Sequence, residues 1–110
     1  MLVKVFIKRQ VTEENNAEFI GLLKKLRFKA MDQEGYISSE TLVSTEDFKQ
    51  VMVISTWQSL EDWNTWKESE ERKNIDNQLE KLQTEPTAYE AYVFNKYRLS
   101  VKEGFPNFKG

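Results

Sequence analysis

An α+β domain, with four antiparallel strands and helices packed on one of their faces, is the fold this sequence predicts. Three observations carry that prediction. Apolar residues alternate with period two in four places, two stretches of helical periodicity separate them, and the segments run β-α-β-β-α-β. A chain of 110 residues suits one domain and can bury roughly two-thirds of its unfolded surface.

Leu2 to Arg9 opens the chain as a strand, with Val3, Val5 and Ile7 on one face and Lys4, Phe6 and Lys8 on the other. Thr12 reads as a helix N-cap, with Glu13 and Glu14 in the first turn, where carboxylates favour the helix dipole. Phe19, Ile20, Leu22, Leu23, Leu26 and Ala30 form the apolar stripe of that helix, and Gly35 is its stop. Gly21 lies inside the helix at a cost of ~1 kcal/mol against Ala, which predicts a close packing contact there.

Residues 36–43 and 50–57 are two further strands, and the turn-forming Ser44 to Lys49 between them predicts a hairpin. Ser59 starts a second helix with Asp62 three positions on, close to a capping box, and Leu60, Trp63 and Trp66 run along one side. Ser69, followed by Glu70 and Glu71, is another cap, so the helix breaks there. It resumes with Ile75, Leu79 and Leu82 and ends before Pro86. A last strand, rich in Tyr, Val and Phe, covers 87–97. The domain is expected to span 1–97, leaving 98–110 as a tail in which Phe105 and Phe108 dock on a partner or over a cavity mouth.

This order is the ferredoxin-like split βαβ arrangement, in which helices cover one sheet face and leave the other bare. Both faces of these strands carry large apolar residues. Val51 and Val53 oppose Met52 and Ile54, and Tyr89, Ala91 and Val93 alternate with Tyr92 and Phe94. A bare face this apolar predicts a homodimer formed through the sheet.

Composition removes several function classes. The formal net charge is -2 and no basic stripe occurs, so no nucleic-acid partner is expected. Without cysteine there are no disulfides, thiolate nucleophiles or Cys metal sites. Without histidine the commonest general base, metal ligand and axial haem ligand are missing too, and no cofactor or metal is expected. The acidic run Glu68 to Glu71 reads as a solvated helix start, since its carboxylates do not converge. No signal-peptide pattern opens the chain and no apolar run spans a bilayer, so a cytoplasmic protein without a membrane partner is expected.

Gly35-Tyr36-Ile37, the hairpin, and the spacing Trp57-x-Ser59-x-Glu61-x-Trp63-x-x-Trp66-x-x-Ser69-x-x-Arg72 resemble the antibiotic biosynthesis monooxygenase domain. The resemblance runs from about residue 2 to 97. It implies a dimeric α+β barrel, two ferredoxin-like protomers packed sheet to sheet, each with a cavity between sheet and helices. Family members include cofactor-independent quinol or anthrone oxygenases, haem-degrading monooxygenases and small-molecule isomerases. Haem-degrading members pair a tryptophan at the position of Trp66 with an iron-ligating histidine ten residues on, where this chain has Asp76. They also use a first-strand asparagine, where this chain offers Phe6, Ile7 and Lys8, so haem degradation by that route is not expected. The cofactor-independent oxygenases ionise a hydroxylated aromatic substrate that O2 then oxidises. For them the resemblance implies a polar residue one turn before the tryptophan, here Asp62 with Asn64 nearby, and a tyrosine that Arg72 replaces.

The site candidates each have a plainer role. Asp62 as a base needs burial to raise its pKa, and serves equally as the third residue of a capped helix. Trp66 walls a ligand pocket or packs at a helix rim, and Trp63 lies in the pocket or the core. Arg72 steadies a phenolate or enolate oxygen, or pairs on the surface with Glu68 or Asp76. Trp57 is read as core, and Tyr36 as a residue of the dimer seam. Three functions follow: a cofactor-free monooxygenase acting on a small aromatic or quinol-like molecule, a non-catalytic ligand-binding or stress-associated homodimer, and a structural homodimer with a filled core. A cavity between sheet and helices separates the first two from the third.

Overall fold

The computed structural model describes residues 1–94. Its elements are β1 (Val3–Gln10), α1 (Asn16–Met31), β2 (Tyr36–Val43), β3 (Gln50–Trp57), α2 (Leu60–Lys67), α3 (Glu70–Lys81) and β4 (Ala88–Val93). The four strands form one antiparallel sheet in the order β2-β3-β1-β4, and the fold is the ferredoxin-like α+β arrangement.

Alternation along β1 decides which face meets the helices. Val3, Val5, Ile7 and Arg9 are buried, and across the ladders they face Trp57, Ser55, Val53 and Val51 of β3 on the same side. The helices close this face with Phe19, Leu23, Leu26 and Ala30 of α1, Trp63 and Trp66 of α2, and Ile75 and Leu79 of α3. Phe6, Met52, Ile54, Leu42 and Tyr92 belong to the other face, which no helix covers among the described residues.

Ser59 and Ser69 cap their helices, each side chain accepting from the backbone N–H three residues on, Asp62 at 3.1 Å and Arg72 at 3.2 Å. These two caps explain the break. Ser69 must be extended to cap α3, so α2 ends at Lys67 and the next helix sets off on a new axis. In the hairpin Ser44 Oγ accepts from Glu46 and Asp47, and Asp47 accepts from Lys49.

Five details differ from the sequence reading. The first helix begins after Asn15 and not after Thr12, with no side-chain cap bond from Asn15, because residues 12–16 form a turn in which Asn15 N–H donates to Thr12 O at 3.2 Å. Gly21 is exposed and a methyl there would meet nothing within 4 Å, so it marks no close contact. Leu60 is exposed. Tyr36 is on the helix side of the sheet: a bulge between Tyr36 and Ser38 inserts one residue and returns Tyr36 to the face of Ser39 and Thr41. The last strand runs from Ala88 to Val93, and residues 95–97 of its expected span, with Phe105 and Phe108, lie outside the described residues.

Candidate functional site

A cavity of about 50 Å³ lies between sheet and helices. Strands contribute Ile7, Tyr36, Ser39, Thr41, Val53, Ser55 and Trp57; helices contribute Leu23, Leu26, Arg27, Ala30, Trp63, Trp66 and Arg72. Exposed Thr41 and Arg27 place its mouth between β2 and α1. The volume holds a few waters or a small organic group.

Aromatic rings form part of its wall and continue behind the lining to Tyr89. Tyr36 meets Trp57 edge to face at 5.5 Å, Trp57 lies 5.9 Å from Trp63, and Trp63 lies 6.1 Å from Tyr89. Such spacings add to the stability that area burial already gives, and they hold the rings in fixed planes. The indole N–H of Trp57 donates to Ser55 Oγ at 3.1 Å, and the hydroxyls of Tyr36 and Ser39 share a hydrogen bond of 2.8 Å.

Arg72 is the buried charged group of this cavity; Arg27 is exposed at its mouth. Arg72 is only 2 % exposed, contrary to the expected surface pairing with Glu68 or Asp76. The Ser69 cap orients it: Arg72 is the third residue past that cap, in the first turn of α3, where the break turns α3 inward. Its guanidinium lies 5.2 Å from the Trp63 ring and 5.5 Å from the Tyr89 ring. Nη1 donates to the Tyr89 hydroxyl at 3.2 Å, whereas Nε and Nη2 have no partner among the described residues.

Asp76 has another task. It accepts from Arg9 Nη2 at 2.9 Å, and Arg9 also donates to Gln83 and Thr87. The position that would hold a haem-ligating histidine is thus tied into an ion pair in the middle of α3. Among the described residues, no group of three or more His, Cys, Asp or Glu could hold a metal ion.

Of the sequence candidates, Trp63, Trp66 and Arg72 come together around the cavity and are buried. Asp62 does not line it. Asp62 is half-buried and its carboxylate packs against Gly35, whose φ of 87° brings the backbone close. Asn64 is exposed on α2, away from the cavity. Sequence reasoning passed over Ser39, Ser55 and Tyr89, and it assigned Tyr36 to the opposite face. Their signal was polar residues recurring at inward positions of strands that otherwise alternate apolar and polar.

The profile of the family described as antibiotic biosynthesis monooxygenase matches residues 2–78. The chain belongs to that family. Solved structures share the fold. A conserved protein from Methanosarcina mazei Go1 is 22% identical with a TM-score of 0.81, covering 86% of this chain and 94% of its own. SnoaB, a cofactor-independent oxygenase from Streptomyces nogalater, is 14% identical with a TM-score of 0.77 over 86% of this chain and 94% of that one. A Mycobacterium tuberculosis protein is 16% identical with a TM-score of 0.78, covering 87% and 97%. A search of curated proteins finds no sequence match. No helix among the described residues of this family member is long and apolar enough to cross a membrane.

Proposed function

We propose that this family member is a cofactor-independent monooxygenase that oxidises a small aromatic or quinol-like molecule with O2. The observation that carries the reading is Arg72, a buried guanidinium with two nitrogens unpartnered among the described residues, in a tryptophan-lined cavity. Ionising a phenol or enol leaves charge on oxygen, and a fixed cation in a water-poor site stabilises that anion far more than water does. The electron-rich anion then reduces O2. For a quinol, one ring carbon–hydrogen bond gives way to a carbon–hydroxyl bond and the ring becomes a quinone. One atom of O2 becomes the new hydroxyl oxygen, and the other leaves as water with the two hydrogens of the original hydroxyls. The ring gives up four electrons and O2 takes up all four, so no further reductant is needed. In this reading Trp63 and Trp66 wall the substrate and exclude water, while Asp62 and Asn64 take no part.

Substrate entry at the β2–α1 mouth requires Leu23, Leu26 and Arg27 to move, since drug-sized ligands occupy roughly 300 Å³ or more. Oxygen uptake with monocyclic and bicyclic quinols, in the presence of a chelator, tests the proposal. Saturable uptake without added cofactor, altered by Trp66→Phe and strongly reduced by Arg72→Gln, is the expected result. Uptake no faster than the uncatalysed oxidation of every quinol tried would overturn it.

A second reading, a non-catalytic ligand-binding homodimer, is favoured by one observation: among the described residues, no carboxylate lines the cavity to act as base. Both readings use a dimer through the bare sheet face, supported by the exposed or half-exposed Phe6, Met52, Ile54, Tyr92 and Phe94 there. A monomeric mass in analytical ultracentrifugation at micromolar concentration counts against that assembly.

A further inference from the structure

We propose that the Nε–Nη2 edge of Arg72 is a carboxylate-binding fork, so that this cavity takes a small acid: a single aromatic ring bearing a carboxylate. The inference rests on the cavity being the ligand site, as in the reading above, and not on oxygenase chemistry.

Two arginines are buried among the described residues, and the contrast between them is informative. Arg9 is neutralised within the chain by Asp76 at 2.9 Å and has further acceptors in Gln83 and Thr87. Arg72 is equally buried, yet no ion pair among the described residues includes it. Its one acceptor there is the neutral Tyr89 hydroxyl, on Nη1. A guanidinium does not deprotonate in proteins, so the charge stays. Leaving it uncompensated in the interior is costly, and an anion from outside the chain removes that cost.

Geometry narrows the anion. The rings of Trp63 and Tyr89 lie within cation–π distance of the guanidinium, which satisfies its charge in part but gives its edge no acceptor. Nε and Nη2, the two nitrogens left over, form one edge of the guanidinium, and their parallel N–H bonds match two coplanar oxygens. A carboxylate offers that pair, whereas a phosphate carries further oxygens and charge that this one edge leaves unanswered, since the second arginine of the lining, Arg27, is exposed at the mouth. The adjoining wall of Trp57, Trp63 and Trp66 favours a flat apolar body behind the carboxylate.

The test uses the full chain under nitrogen, with tryptophan fluorescence titrated by benzoate, by its neutral isostere benzamide, and by inorganic phosphate. Benzoate is expected to bind at least about tenfold more tightly than benzamide, because a site built for paired hydrogen bonds rejects a ligand lacking them. Arg72→Gln should bring the two affinities together. Arg72→Lys, which keeps the charge and loses the fork, should remove most of the preference. Equal binding of benzoate and benzamide by the unaltered chain, tighter binding of phosphate, or a preference unchanged in Arg72→Lys would each overturn the inference. Working without O2 keeps the two proposals apart: discrimination by charge with no quinol oxidation in the parallel assay retains the fork and removes the oxygenase.

Discussion

Arg9 and Asp76 join the middle of the sheet to α3 through a 2.9 Å ion pair, with the arginine side chain 1 % exposed and the aspartate 20 %. Asp76→Asn keeps the shape and removes the charge. Because it leaves Arg9 buried with only neutral acceptors, we expect a loss of roughly 3 kcal/mol, at the low end for broken buried pairs. Thermal or urea unfolding measures it. An unchanged midpoint would mean that the pair gives no net stabilisation.

Gly35 and Asp62 form a second coupled pair. A Cβ at Gly35 would collide with the Asp62 carboxylate, and the φ of 87° is strained for any L side chain. Gly35→Ala should therefore cost about 1–3 kcal/mol. In an Asp62→Ala background the steric part disappears and only the backbone part remains. A double-mutant cycle reads the difference, and purely additive effects would show that the side chain yields freely.

Gly21 invites the opposite change. It lies mid-helix and exposed, with open space where a methyl would go. Gly21→Ala should stabilise the protein by about 0.5–1 kcal/mol through helix propensity and a less flexible unfolded chain. Chemical denaturation gives the value, and destabilisation would reveal a contact to this surface in the assembled protein.

The caps at Ser59 and Ser69 are expected to differ in consequence. Replacing either by Ala removes one bond to a helix N-terminus and about 1 kcal/mol, and Ser69→Ala also removes the bond its hydroxyl donates to Trp66 O at 2.8 Å. Only Ser69→Ala also loosens the turn that carries Arg72 into the cavity. Its benzoate affinity should fall while that of Ser59→Ala holds. Equal affinities would separate the cap from the site.

Element order and type were legible throughout. Period-two runs marked the strands, and the serines of Ser59-x-x-Asp62 and Ser69-x-x-Arg72 marked the caps and the break between α2 and α3. Helix entry was misplaced by three residues because a turn at 12–16 precedes the helix, which then starts after Asn15 without a side-chain cap. Trp63, Trp66 and Arg72 were visible as candidates. Tyr36 was assigned to the wrong face because one bulged residue reverses the alternation, which no local pattern reveals.

What the sequence determined by itself is the architecture and the family: periodicity, caps and tryptophan spacing are local, and local geometry is enough to fix them. Tertiary structure alone decided which arginine is answered. Arg9 and Arg72 look alike in sequence, each beside other charged or polar residues. Only packing brings Asp76 to Arg9, 67 residues away, and leaves one edge of Arg72 without an acceptor among the described residues, beside a cavity of aromatic rings. Burial and pairing depend on contacts between distant segments, and these form only when sheet and helices close on one another.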